Sequence, residues 1–148
     1  MKQIISRTMM LVAMAATLLS FTNFGGEGFE IYLNNRVVIQ QFGKPTNAVK
    51  SLRLNQYSAN DQLTIKYHHC GRVGKNRTIT IKDNQNNLLK EWRFDDAVAP
   101  MLCNVKDILN LNKESESVFK LYYTSSELPN GRLLATIVVE NNNVVKSK

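Results

Sequence analysis

The sequence predicts an all-β protein, a single antiparallel β-sandwich of about 8–9 strands, immunoglobulin-like in architecture. Three observations carry that expectation. From Phe29 onward apolar residues recur with period two, and no long stripe of helical period appears. Clusters of Asn, Gly and Pro interrupt the pattern at short intervals, as turns between strands do. The composition, 43% hydrophobic and 21% charged over 148 residues, suits one globular domain and excludes a disordered polyelectrolyte or a multidomain enzyme.

The first segment lies outside that domain. Lys2 and Arg7 form a positive n-region, Met9 to Leu19 an apolar h-region, and no charge stands between Arg7 and Glu27. This is the layout of a secretory signal peptide over residues 1–25, leaving 26–148 as a single domain. Ser20-Phe21-Thr22 is a weak cleavage match and Gly25-Gly26 an alternative, so the mature chain is expected to begin near Asn23–Glu27. No Cys follows the h-region, so lipidation there is excluded, and an uncleaved anchor helix is the alternative. The protein is therefore expected to be secreted or periplasmic, with no transmembrane helix after cleavage.

The strands follow in order. Phe29–Leu33 and Arg36–Gln41 flank Asn34-Asn35, and Asn tolerates the positive φ of a tight type I′ hairpin. Gly43-Lys44-Pro45 closes that hairpin. Val49–Leu54 places Leu52 and Leu54 on one face. Gln62–His69 sets Leu63, Ile65, Tyr67 and His69 on one face and Thr64, Lys66 and His68 on the other. Thr78–Lys82 and Leu88–Phe94 form a second hairpin around Asp83–Asn87, its Ile residues inward and its Thr and Lys outward. Asp95–Pro100 reads as a loop, and Val105–Leu111 as either a short strand or a helical turn. Val118–Thr124 is a strand, Pro129-Asn130-Gly131 a turn, and Leu133–Glu140 the closing strand, followed by a tail. Ile79, Ile81, Trp92, Phe94, Phe119, Leu121, Tyr123, Ile137 and Val139 are the expected core.

Cys70 and Cys103 are the two cysteines, both in the mature part. In an oxidising compartment an even pair reads as one disulfide, worth about 3–4 kcal/mol for a loop of this length. Trp92 between them invites comparison with immunoglobulin domains. The spacing departs from that family's, and no Tyr stands two residues before Cys103.

The functional constellations are few. His68-His69-Cys70 groups metal-ligating residue types, but neighbours on a strand point to opposite faces and the sequence has no further His. No metal and no cofactor are expected, and His69 reads as a partly buried, hydrogen-bonded residue. Gly71-Arg72-Val73-Gly74-Lys75 lacks the spacing and the Ser or Thr of a phosphate loop. Arg72, Lys75 and Arg77 nonetheless place three cations on one Gly-opened loop. They are the candidate ligand-binding residues, for an anionic glycan, a lipid head group or an acidic protein surface. Asp95-Asp96 reads as a turn, and no serine-hydrolase motif is present. Loss of Lys2 and Arg7 with the leader lowers the formal charge from +7 to +5, spread without a basic stripe, which argues against nucleic acid.

Glu30-Ile31-Tyr32-Leu33-Asn34-Asn35, Gly74-Lys75-Asn76-Arg77, Lys90-Glu91-Trp92 and Glu127-Leu128-Pro129-Asn130-Gly131-Arg132 together span most of the mature chain. In this pattern the chain resembles uncharacterised small secreted β-sandwich proteins of Gram-negative bacteria. The resemblance implies a secreted, all-β, one-domain protein and transfers no activity. The expected function is that of a non-catalytic secreted module binding or supporting an envelope or extracellular partner. The alternative is a small secreted hydrolase or metal-dependent enzyme with a site assembled from dispersed residues.

Overall fold

A computed structural model describes residues 26–43, 48–112 and 116–140. The signal segment, the end of the Gly43-Lys44-Pro45 turn and the tail over 141–148 lie outside the described residues. The described residues hold nine strands, one short α-helix and a 3-10 turn at Gln56–Ser58: β1 (Gly28–Leu33), β2 (Arg36–Phe42), β3 (Ser51–Asn55), β4 (Gln62–His68), β5 (Arg77–Lys82), β6 (Leu88–Phe94), β7 (Met101–Asn104), α1 (Val105–Leu109), β8 (Glu116–Ser125) and β9 (Leu128–Glu140). They form two open sheets, ordered β2-β1-β4-β7 and β3-β9-β8-β5-β6. The protein is all-β.

Turn chemistry sets the local connections. Asn34 and Asn35 have φ of 49° and 66°, the left-handed pair that a type I′ hairpin needs. In the β5–β6 hairpin the Asp83 carboxylate accepts from the main-chain N–H of Gln85 and Asn87 and from the Asn87 side chain. Those donors favour the charged form and hold the Asp83 pKa below its ordinary value.

Alternation builds the core. Phe29 and Ile31 of β1, Leu63 and Ile65 of β4, and Met101 and Cys103 of β7 face inward from the four-stranded sheet. Leu52, Leu54, Ile79, Ile81, Phe119, Leu121, Tyr123, Ile137 and Val139 do so from the five-stranded one, and all belong to a single buried cluster. Each aliphatic or aromatic side chain so buried contributes about 1.5–3 kcal/mol. Trp92 and Phe94 pack against this cluster only partly buried, because β6 is an edge strand.

The structure corrects the expected connections at several points. The pairing of β3 with β9 is parallel, whereas the other strand pairs are antiparallel. Met101–Asn104, which lies between the expected loop and the Val105–Leu111 segment, pairs with β4 as β7, and Val105–Leu109 is helix. Pro129-Asn130-Gly131 is not a turn: the chain reverses at Ser126-Glu127, and β9 already begins at Leu128. Tyr123 pairs with Arg132 and Ser125 with Leu128, so two extra residues of β9 are accommodated as a bulge. Gly131 serves that bulge with φ 69°, where a Cβ would stand 2.8 Å from Thr124.

The expected disulfide is absent. Both cysteines are free, Cys70 exposed and Cys103 buried. The register explains why: Cys103 pairs with Leu63, and β4 runs on from Leu63 to His68, a rise of about 17 Å at roughly 3.3 Å per residue, before the turn that carries Cys70. A disulfide needs Cα atoms within about 7 Å. Burial pushes the Cys103 thiol up to about 12, so it is neutral and unreactive. One thiol, that of Cys70, should react with a thiol reagent in the native protein, and the second only on unfolding. Cys103→Ala should cost about 1 kcal/mol, equally with and without reductant. Failure of both thiols to react in unfolded, unreduced protein would contradict the register.

Candidate functional site

The candidate loop begins where β4 runs out. His69 and Arg72 form an isolated bridge, with the Arg72 N–H donating to the His69 carbonyl at 3.0 Å. Between them Cys70 (φ 51°) and Gly71 (φ 82°) are left-handed, as the centre of a type I′ turn must be. Cys70 is therefore a turn-tip residue. It does not tether the loop; hydrogen bonds to two neighbouring connections do.

Lys75 N–H donates to the Glu127 carboxylate at 2.9 Å, and the Lys75 carbonyl accepts from Ser126 N–H at 2.8 Å. Asn76 N–H donates to Asp96 at 2.7 Å, and its side-chain amide donates to the Ser126 hydroxyl at 2.8 Å. The N–H of Lys75 holds the Glu127 carboxyl below the usual carboxylate range. Segment 69–76, the β6–β7 connection and the β8–β9 turn are thus laced together at one end of the molecule.

The three candidate cations do not share a fate. Arg72 and Lys75 are exposed, and neither side chain has an ion pair among the described residues. Arg77 is taken inside, 6% exposed. Its Nε donates to the Asp95 carbonyl at 2.7 Å and its Nη1 to the Ala99 carbonyl at 2.6 Å, which fastens β5 to the β6–β7 connection. Gly74 makes room for it: a Cβ there would lie 2.9 Å from the Arg77 side chain and 3.0 Å from the Tyr123 hydroxyl. The bare face of Gly74 is occupied from within, and of the two loop glycines Gly71 alone leaves open space beside its backbone.

His69 is 7% exposed, and its Nε2 lies 2.8 Å from the Tyr123 hydroxyl and 3.4 Å from that of Ser125. Its Nδ1 faces the Glu27 carboxylate at 3.8 Å, which favours the Nδ1–H tautomer and leaves Nε2 to accept the Tyr123 proton. Burial holds the imidazole pKa below its ordinary value, against the opposing pull of Glu127 and Glu27. His68 points the other way, to Glu30 at 3.4 Å, as alternation requires. Tyr67 stacks on Tyr123 with centroids 4.2 Å apart, joining the two sheets, and sits 4.7 Å from His69.

The Tyr67 hydroxyl donates to Glu27 Oε1 at 2.9 Å and accepts from Arg132 Nη1 at 3.4 Å. Burial, reinforced by the Glu27 carboxylate, pushes the phenol up to about 12. Sequence reasoning missed Glu27, Tyr123, Ser125 and Arg132 as members of this group. Parity with Phe119 and Leu121 places Tyr123 in the expected core, and Ser125, which shares that parity, is the residue the same signal would have added.

Two cavities flank Glu27. One, about 350 Å³, is lined by Glu27, His69, Cys70, Arg72 and Glu127. The other, about 430 Å³, lies on the Arg132 side. Among the described residues no three His, Cys, Asp or Glu side chains are grouped to hold a metal ion, and no helix is long and apolar enough to cross a membrane. No protein-family model matches the chain, and no curated protein matches it either.

Proposed function

We propose that the chain is a secreted, non-catalytic β-sandwich module, immunoglobulin-like in architecture, that binds an acidic partner through Arg72 and Lys75. One observation carries this reading: the connection bearing both cations is pinned through its main chain while their charged heads form no ion pair among the described residues. A loop already ordered loses little entropy on binding. Arg72 offers a fork for carboxylate, sulfate or phosphate, and Lys75 a point charge beside it. The partner's class is an anionic glycan, lipid head group or acidic protein face. The Lys2/Arg7 and Met9–Leu19 leader pattern supports export.

A hydrolase reading has one observation on its side, since His69 stands between Glu27 and the Ser125 hydroxyl. Ser125 is only 5% exposed and shares His69 Nε2 with Tyr123, which favours binding over nucleophilic attack.

Retention of the mature protein on a sulfated polysaccharide tests the proposal. Exposed charges are screened over about 8 Å at physiological salt, so binding should weaken clearly from low to moderate ionic strength. Arg72→Ser/Lys75→Ser should elute far earlier than the parent. Arg36→Ser/Lys106→Ser removes the same charge at the opposite end, near where Leu33 pairs with Leu63 and Gln62 with Asn104, and should elute close to the parent. Equal shifts for the two variants would assign retention to net charge and leave the loop as plain surface.

A further inference from the structure

The second cavity carries chemistry that the fold does not use. It is bordered by the charged residues Glu27 and Arg132 and by the apolar side chains of Val49, Leu128, Leu133 and Leu134. Its volume, about 430 Å³, falls within the range of small-molecule sites.

Arg132 is incompletely satisfied. Its guanidinium carbon lies 5.2 Å from the centre of the Phe29 ring, and Nη1 donates to Tyr67. Its Nη2 is buried and has no hydrogen-bond partner. One long hydrogen bond and a ring face leave most of the guanidinium charge uncompensated, and Arg132 lines the cavity, where a carboxylate can meet that charge.

Glu27 is the counterpart. Tyr67 engages its Oε1, and His69 faces the same oxygen, whereas no hydrogen bond from a described residue reaches Oε2. Glu27 and Arg132 do not pair directly with each other. Tyr67 stands between them, donating to one and accepting from the other, and so holds two opposite charges apart on one rim.

An acidic ligand alone would meet Glu27, and a cation alone would meet Arg132. A molecule carrying both charges and an apolar group meets neither penalty. We propose that this cavity binds a small zwitterion with an apolar side chain, an apolar α-amino acid or a dipeptide of such residues. Its carboxylate lies on Arg132, its ammonium on Glu27, and its side chain against Leu128 and Val49. This reading is independent of the acidic partner at Arg72 and Lys75.

Calorimetric titration of the mature protein with L-leucine and, separately, L-leucyl-L-leucine tests it. Saturable binding of either supports the proposal, and the tighter of the two identifies which length the cavity takes. N-acetyl-L-leucine, L-leucinamide and glycine each delete one recognised group, and each should bind at least about tenfold more weakly. Arg132→Gln should weaken leucine by a similar factor while leaving leucinamide unchanged, and Glu27→Gln should do the same with N-acetyl-leucine as the insensitive probe. The analogue series on the parent protein decides the matter even if Arg132→Gln does not fold. No saturation by either zwitterion up to about 10 mM, or equal binding of leucine and its two blocked analogues, would overturn the proposal.

Discussion

Tyr123→Ala should destabilise the protein by about 3–5 kcal/mol, the largest single-residue loss expected among the residues treated above. Tyr123 is wholly buried, stacks on Tyr67 across the two sheets, and satisfies His69 with its hydroxyl. Truncation leaves a cavity between the sheets and strands Nε2 in it. Tyr123→Phe separates the two effects. The ring stays, the donor goes, and the loss should fall to about 1–2 kcal/mol. Urea unfolding measures both.

Burial of His69 gives stability a pH dependence of defined sign. The folded pKa of His69 lies below its unfolded value of about 6.5, so between the two the unfolded chain binds the extra proton. Its contribution is whole above about pH 6.5 and is lost as pH falls toward and through the depressed value. His69→Gln should flatten that limb of the profile. A limb unchanged in the variant would show that other groups produce it.

Arg77→Ala should cost about 3 kcal/mol, since two charge-assisted hydrogen bonds to carbonyls are lost together, each worth about 1.5–3 kcal/mol in such settings. Arg77→Lys should recover only part, because one ammonium cannot reproduce a planar fork holding both the Asp95 and Ala99 carbonyls. Arg72→Ser and Lys75→Ser should each stay within about 0.5 kcal/mol of the parent. Thermal or urea unfolding of the four variants checks this. A loss below about 1 kcal/mol for Arg77→Ala would return that residue to the surface group in which its loop position placed it.

That contrast shows what was legible in the sequence and what was not. Period two identified the all-β class and the shared faces of β3, β4 and β5, and paired Asn identified the first hairpin. The same rule, carried one residue further, places Arg77 on the face of Ile79 and Ile81. Reading it as a loop cation put charge ahead of parity. Bulges were illegible because they break the period on which the reading depends. At the β8–β9 end two extra residues move Pro129-Asn130-Gly131 from an apparent turn into a strand and carry Arg132 to the cavity rim. The grouping of Glu27, His69, Tyr67 and Arg132 depends on contacts between segments far apart in sequence, for which no local pattern exists. The cysteine pair misled for a different reason: parity and compartment are arguments about chemistry, and the β4–β7 register is an argument about distance.

The separation of the two thiols also bears on how the chain reaches its native state. A cross-linked domain relies on oxidant to form its bridge, and bond formation or reshuffling adds a phase of seconds to hours to its maturation. Here the chain has strands to align but no internal bridge to form between Cys70 and Cys103. No internal bridge distinguishes its fold in reducing from that in oxidising surroundings. The cysteines therefore carry no information about the destination of the protein, and the case for export rests on the leader.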